Sequence, residues 1–144
     1  MNQDDRAIRV ENGSADDYSL LSVFHYIAGR PARPALTLRA IDEISGELCG
    51  VLVVTMPTLN SAWRDQAWPG RYRTGDKKAD AARINRELRT IARVIVDPRF
   101  RARGVATRLV RAYLKDPLTP ATEAIAAMGR VCPFFASADM IHQR

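Results

Sequence analysis

Residues 101–106, Arg-Ala-Arg-Gly-Val-Ala, lie between an apolar run typical of a strand (residues 91–96) and a run with helical spacing (residues 104–115). The first N–H groups of a helix have no partner inside the helix and carry the positive end of its dipole. A phosphate satisfies them, and small residues such as Gly104 and Ala106 allow close approach. The stretch therefore predicts an anion site at a strand–turn–helix junction, with a solvated basic turn as the alternative. The surrounding arginines are Arg99, Arg101, Arg103 and Arg108.

The length of 144 residues predicts a single α/β domain over 1–144, large enough to bury one core. No apolar run approaches the roughly 20 residues that a membrane span needs. The polar, acidic start from Met1 to Asp5 is unlike a secretory signal. Cys49 and Cys132 lack the spacing of metal ligands. We therefore expect a cytoplasmic protein without a metal.

The hydrophobic pattern of the first half predicts a strand over 6–11 and a helix capped by Ser14 that runs to about Ile27. Two strands, 35–42 and 47–56, are expected to form an antiparallel hairpin, with the run 51–54 buried on both faces. The segment 57–77 holds prolines, glycines and both tryptophans, and it predicts a long irregular connection.

The second half predicts a helix over 80–88, a strand over 90–96, an amphipathic helix over 104–115, a strand over 122–128 and a short helix over 133–138. In the amphipathic helix, Val105, Leu109, Val110, Tyr113 and Leu114 are expected to face inward. This element order predicts a mixed α/β sheet with helices packed on it.

Residues 94–106, Val-Ile-Val-Asp-Pro-Arg-Phe-Arg-Ala-Arg-Gly-Val-Ala, resemble the acetyl-CoA-binding motif of the GNAT acetyltransferase superfamily. That motif is a strand ending in Val-x-Pro, an aromatic residue two positions later, and then Arg/Gln-x-x-Gly-x-Gly/Ala. Every one of those positions is matched. The resemblance implies an N-acetyltransferase with a GNAT-like mixed central sheet, flanking helices and acetyl-CoA as the acyl donor for an amine.

The resemblance also implies how acetyl-CoA would be held. In the family the turn amides bind the CoA pyrophosphate, and the preceding strand pairs with the pantetheine arm. The implied cofactor-binding residues are Val94, Ile95, Val96, Arg101, Ala102, Arg103, Gly104, Val105, Ala106, Thr107 and Phe134.

The chain departs from the family at its end. A full GNAT fold closes with two further strands after the last helix, whereas this chain stops at Arg144. Either those two strands are absent, or a partner chain supplies that edge. Because an uncovered sheet edge favours pairing with another chain, a homodimer is one expectation.

Acetyl transfer to an amine needs a polarised thioester carbonyl, a neutral amine and a leaving thiolate that is protonated or stabilised. Backbone amides near residues 94–96 could polarise the carbonyl. Glu87, just upstream of the CoA strand, and His25 are the candidate bases. The alternatives are an ion pair between Glu87 and a neighbouring arginine, and a half-buried His25 at a helix end.

The acid that would protonate the leaving thiolate has several candidates. Residues 132–140 resemble the family segment Pro-Phe-Phe/Tyr-x-x-x-Gly-Met/Phe, but a Phe stands where a Tyr would donate a proton. The acid is then Tyr26, Ser137, Cys132 or water, or there is none. Phe134 is expected to pack in the core and along the pantetheine channel.

Arg93 is unusual because it stands in the middle of a predicted strand, on the face expected to hold Ile91 and Ile95. A charge there needs a partner. The partner is either an anionic group of the substrate or one of two carboxylates, Glu87 or Glu123. Arg93 is accordingly a candidate catalytic-site residue.

A second resemblance concerns nucleic acid. The pair His25-Tyr26, a downstream pair of prolines and an arginine in the CoA strand resemble the phage Mom DNA-modification group, a GNAT-like branch. That resemblance implies modification of a nucleobase on the same fold. Separately, Trp63 and Trp68 could stack on a base, with packing over the sheet as the alternative. A module that binds CoA or nucleic acid without catalysis is the third hypothesis.

The charge distribution bears on these hypotheses. The net charge is +6, and residues 64–115 hold fifteen Lys and Arg against five Asp and Glu. Such a block attracts polyanions. CoA accounts for part of the excess, and a nucleic-acid acceptor or a solvated basic face accounts for the rest.

Overall fold

The computed structural model describes residues 7–24 and 33–124. Their strands are β1 (Ile8–Asn12), β2 (Pro34–Asp42), β3 (Leu48–Thr55), β4 (Leu88–Val96) and β5 (Ala121–Ala124). Their helices are α1 (Ala15–Leu21), α2 (Ala62–Ala67), α3 (Lys77–Glu87) and α4 (Val105–Lys115), with 3₁₀ turns at Ser22–Phe24 and Pro98–Phe100. The ends of the predicted first helix and last strand, and the whole helix predicted over 133–138, lie outside the described residues.

The five strands form one sheet in the order β1-β2-β3-β4-β5. The first three pairings are antiparallel, whereas β4 and β5 are parallel and are joined through α4. A parallel pair needs such a crossover because its strands start at the same edge. The predicted mixed sheet with flanking helices is confirmed.

The hairpin of β2 and β3 forms the centre of the core. Its antiparallel pairing and the burial of Val51–Val54 are both confirmed. Cys49 at the start of β3 is fully buried, and its Sγ donates to the carbonyl of Ala40 at 3.2 Å. Burial raises the pKa of this thiol to about 11, so Cys49 is an unreactive core residue.

The two faces of the sheet are covered by different helices. On the α4 face, α4 packs against strand residues such as Leu52 and Ile91. On the opposite face, which we call the α1 face, Leu21 of α1 packs against Val51 and Ile95. The core is therefore divided into two layers with the sheet between them.

Helix α4 comes very close to β3. A Cβ on Gly50 would lie 2.7 Å from Val105 Cγ1 and 3.1 Å from Leu109 Cδ1. Only glycine allows this approach without displacing the first turn of α4. Four of the five residues expected to face inward are buried, and Leu114 is half-buried.

The segment 57–77 is more ordered than expected. The prediction of a long irregular connection is wrong for residues 62–67, which form α2. Trp68 meets the ring of Tyr72 edge-on, with centroids 5.8 Å apart, and both pack near Leu88 on the α1 face. The helix is too short for its periodicity to stand out between Pro57 and Pro69.

Strand β4 carries one extra residue in its pairing with β3. Arg93 lies opposite Val53, whereas Ile91 lies opposite Val54, so Ala92 is a bulge without a partner. A bulge changes the alternation of side chains along a strand. Arg93 therefore shares the α1 face with Val53, while Ile91 lies on the α4 face. The expectation that Arg93 and Ile91 share a face is wrong for this reason.

Candidate functional site: the β4–α4 turn

The turn after β4 is fixed by Asp97. Its N–H donates to the carbonyl of Cys49 at 2.9 Å, and its Oδ1 accepts from the Arg99 N–H at 2.9 Å. Pro98 follows, which holds Asp97 in an extended conformation and starts the 3₁₀ turn. Hydrogen bonds from the Arg99 side chain hold the pKa of the Asp97 carboxyl below its usual range. This carboxylate therefore stays ionised and holds Arg99 at the start of the turn, while the Asp97 N–H joins the turn to the sheet.

The backbone of the turn is shaped to receive an anion. Ala102 and Gly104 both have left-handed backbone angles, with φ of 65° and 72°. Left-handed residues in such turns direct successive N–H groups into a common concavity. Gly104 is the N-cap of α4 and provides no side-chain cap. Within the described part of the chain, the N–H groups of residues 102–107 have no hydrogen-bond acceptor.

Two of the four arginines near this turn are already engaged with acids. Arg99 pairs with Asp97 at 3.0 Å and with Glu47 at 3.2 Å. Arg103 stacks over Phe100 at 5.3 Å, and its Nη1 lies 4.0 Å from Asp42. Arg99 is therefore a structural residue of the turn, whereas Arg103 keeps unused donors.

The unused donors belong to three arginines. The Nε of Arg103 and the Nη1 of Arg108 are enclosed by protein and have no acceptor among the described residues. Arg101 is exposed and has no ion-pair partner in the same residues. An enclosed guanidinium N–H without an acceptor costs folding free energy. A ligand with several oxygens would supply the missing acceptors.

The edge of β4 next to the turn has no partner strand among residues 7–24 and 33–124. Because Asp97 bonds to β3, and successive residues alternate in direction, the N–H and C=O groups of Val94 and Val96 point away from β3. The described pairing with β5 covers only the first four residues of β4. Ile95 differs, because its backbone faces β3 and its side chain is buried.

Glu87 lies at the end of α3 and forms an ion pair. Its carboxylate accepts two hydrogen bonds from Arg71, at 2.9 and 3.0 Å, and one from the Tyr72 hydroxyl at 2.9 Å. The Arg71 guanidinium holds the pKa of Glu87 below its usual range. Such a carboxylate accepts protons weakly near neutral pH. Glu87 was expected to be either a catalytic base or the partner of a neighbouring arginine. The structure contains the ion pair, with Arg71.

Arg93 pairs with neither of the two carboxylates expected for it. Glu123 is bound instead to Arg64 of α2, which also donates to the carbonyl of Thr58 at 2.8 Å. Arg93 Nη1 donates to the carbonyl of Ala92 at 2.8 Å, and its Nε is enclosed without an acceptor among the described residues. Sequence reasoning missed Arg64, because nothing local distinguishes it from the neighbouring surface arginines.

Several predicted site residues fall outside the part of the chain that is described. These are His25, Tyr26, Cys132, Phe134 and Ser137. In the described ranges, 7–24 and 33–124, no group of three or more His, Cys, Asp and Glu side chains could hold a metal ion. We also find there no helix with the length and apolar character that a membrane span requires.

Comparison with known protein families finds no match, and a search of curated proteins finds no related sequence. The structure, however, is similar to the crystal structure of a protein from Deinococcus radiodurans R1 that is described as a candidate acetyltransferase. The TM-score is 0.58 at 13% sequence identity, and the match covers 100% of this chain and 89% of that chain. At this identity the likeness shows the fold: a GNAT-like mixed sheet flanked by helices.

Proposed function

We propose that this protein is an acetyl-CoA-dependent N-acyltransferase that transfers an acyl group to an amine. The observation that carries the proposal is the run of N–H groups at residues 102–107 that have no acceptor in the described structure, with the enclosed donors of Arg103 and Arg108 beside it. A diphosphate has enough oxygens to satisfy both sets. The fold shared with a candidate acetyltransferase supports the same conclusion.

The residues of the turn fit the diphosphate of CoA. The backbone N–H groups of residues 102–107 would bind its oxygens at the positive end of α4, and Arg101, Arg103 and Arg108 would neutralise its charge. Gly104 has nothing within 4 Å of an added Cβ, so the turn is open on that side. This opening leaves room for phosphate oxygens to approach the main chain.

The adjoining edge of β4 fits the rest of the coenzyme. The N–H and C=O groups of Val94 and Val96 would pair with the amides of the pantetheine arm, as an added strand does. CoA supplies the activated thioester. Backbone N–H groups of β4 near the bulge at Ala92 would polarise the thioester carbonyl. We propose no role for the Ile95 backbone, because it faces β3.

Glu87 and His25 stay candidates for the base, and Tyr26, Cys132 and Ser137 stay candidates for the acid. A carboxylate with a lowered pKa is ionised throughout the neutral range, so its titration would not shape the rate between about pH 6 and 8. We expect Glu87→Gln to leave the shape of the pH profile of kcat/KM unchanged in that window. If the parent protein loses kcat/KM toward the acidic end of that window and Glu87→Gln does not, Glu87 is the base.

The diphosphate site is tested by calorimetric titration with acetyl-CoA. Gly104→Glu puts a carboxylate where phosphate belongs, and we expect the affinity to fall more than about 100-fold, because charge-assisted hydrogen bonds are each worth about 1.5–3 kcal/mol. Gly46→Glu is the matched control. It has a similar φ of 75° and equally open surroundings, but lies in the β2–β3 turn.

Comparing the two variants distinguishes the effect of backbone strain on binding from the effect of losing the diphosphate site. Both residues carry the same backbone penalty, so both variants lose similar stability. We expect Gly46→Glu to bind acetyl-CoA within about threefold of the parent protein. The proposal fails if the parent protein does not bind acetyl-CoA, or if the two variants lose affinity equally.

A second candidate function, modification of a nucleic acid, is favoured by the surface of α2 and α3. Trp63 of α2 is 60% exposed, and Lys77 and Lys78 at the start of α3 are exposed. Aromatic and basic side chains together are suited to single-stranded nucleic acid. A titration of binding against salt tests this candidate, since affinity must fall steeply if several phosphates are held. An affinity for nucleic acid that does not change with salt concentration would exclude this function.

A further inference from the structure

We propose that Arg93 binds a compact oxyanion, a carboxylate or a phosphate, on the acceptor. The inference rests on the proposed transferase activity for its biological meaning, but the anion site itself can be tested without coenzyme. Arg93 lies on the α1 face of β4, immediately after the bulge at Ala92. This face is opposite the one on which α4 packs.

Arg93 lies between two parts of the α1 face that other elements cover. Toward the end of β4, Ile95 is covered by Leu21 of α1. Toward its start, Leu88 is covered by the α2–α3 segment through Tyr72. Arg93 lies between these two residues, beyond Ile91, which is the last residue of β4 in the described pairing with β5. An acceptor reaching β4 from this face would meet Arg93 beside the bulge.

The charge balance on this face favours an anion. Glu123, an acid on the neighbouring strand β5, is already neutralised by Arg64 and shares a 3.4 Å contact with the Thr90 hydroxyl. Arg93 has no ion-pair partner in the described structure, and its only acceptor is the carbonyl of Ala92. Its enclosed Nε has none. A guanidinium that keeps a charge and a free N–H is complementary to an oxyanion.

The enclosure of the donor limits the ligand to a small group. Arg93 is half-buried beside Val53 and its Nε has almost no accessible surface, so an anion would meet the accessible remainder of the guanidinium. A carboxylate or phosphate at the end of a small amine could enter so confined a position, whereas the rigid backbone of a duplex could not. The proposal therefore assigns the acceptor to the class of small anionic amines.

The deciding experiment follows the Nε–Hε resonance of Arg93 in the ¹⁵N-labelled full chain during titrations with acetate, inorganic phosphate and neutral acetamide. Arg93→Lys assigns the resonance, because lysine keeps the charge but has no Nε–H. Arg89 is the internal control. Its Nε is also enclosed without an acceptor, but it lies on the opposite face of β4.

We expect the Arg93 resonance to shift saturably with acetate or phosphate, and the Arg89 resonance to stay unchanged. The stronger of the two titrations identifies the oxyanion. No saturable shift, or equal shifts at Arg89, would overturn the assignment. Because acetyl-CoA is absent, this result does not depend on the transferase proposal.

The acceptor class is then tested by turnover of matched amines with acetyl-CoA: L-alanine against L-alaninamide, and phosphoethanolamine against ethanolamine. We expect the anionic member of a pair to be preferred, and Arg93→Gln to raise its KM about 10- to 100-fold with little change in kcat. An unchanged preference in Arg93→Gln would contradict a role in specificity. Coenzyme binding by the parent protein, measured separately, shows which of the two proposals has failed.

Discussion

At the scale of single residues, the turn depends on the charge of Asp97. The carboxylate binds both the main chain and the side chain of Arg99, and the Asp97 N–H joins the start of the turn to the carbonyl of Cys49 on β3. The hydrogen bonds from Arg99 lower the folded-state pKa of Asp97 below its unfolded value. A lowered pKa stabilises the fold above the unfolded pKa, and this stabilisation is lost as the pH falls through the folded pKa.

The corresponding prediction concerns Asp97→Asn, which keeps the shape of the side chain but removes its charge. We expect it to lose about 1 kcal/mol of unfolding free energy at pH 7, because Arg99 is largely exposed and the ion pair is partly screened. The difference from the parent protein should shrink below about pH 4, measured by urea unfolding at a series of pH values. Asp116→Asn, at an exposed carboxyl, is the control and should stay within about 0.5 kcal/mol. A difference that is the same at pH 3 and pH 7 would show that charge is not involved.

Some residue-level features could be predicted because they depend only on near neighbours. Ser14 was predicted as an N-cap, and its Oγ accepts from the N–H of Asp17. Gly104 was predicted at the mouth of a helix, and it has the positive φ that favours glycine there. Ion-pair partners were not predictable. Arg71 reaches Glu87 across sixteen positions, and local patterns carry no information about such contacts.

At the scale of elements, α4 owes its place to Gly50. The first turn of this helix holds the unpaired N–H groups, and it lies directly over the glycine. Gly50→Ala should cost about 1–3 kcal/mol in unfolding free energy by overpacking, and should also weaken acetyl-CoA binding by moving Val105. Leu109→Ala is the comparison, since it should cost about 2–5 kcal/mol but leave the helix start in place. Calorimetry of the folded variants separates them: weaker binding in Leu109→Ala than in Gly50→Ala would contradict this account.

The elements themselves were largely predictable, and their irregularities were not. Helix α4 and the hairpin of β2 and β3 follow from strong periodicity and apolar runs. The bulge at Ala92 leaves no mark in the sequence, because it is a property of how β4 pairs with β3. Missing it placed Arg93 on the wrong face relative to Ile91. The sequence leaves an anionic substrate group and two carboxylates as alternative partners of Arg93, and the structure pairs both carboxylates with other arginines.

At the scale of the whole molecule, one buried ion pair ties the α2–α3 segment to the sheet. Arg64 is 4% exposed and joins Glu123 on β5 to the carbonyl of Thr58. Arg64→Met would leave Glu123 half-buried without its partner, and should cost about 3–5 kcal/mol. Arg73→Met is the control. Its pair with Asp65 is largely exposed, so the loss should stay below about 1 kcal/mol.

The double variant Arg64→Met with Glu123→Gln distinguishes an ion pair from simple packing. We expect it to recover more than half of the loss, because no uncompensated charge is left behind. Additive losses in urea unfolding would show that Arg64 acts through its methylene chain alone.

The central claim is that the main-chain N–H groups at the start of α4 bind the diphosphate of CoA. The most direct test is a crystal structure of the full chain with CoA at saturating concentration. The account predicts diphosphate oxygens within hydrogen-bond distance of N–H groups in residues 102–107, with Arg103 or Arg108 turned toward them. A coenzyme bound elsewhere on the molecule, or a turn that stays empty at saturation, would contradict the account.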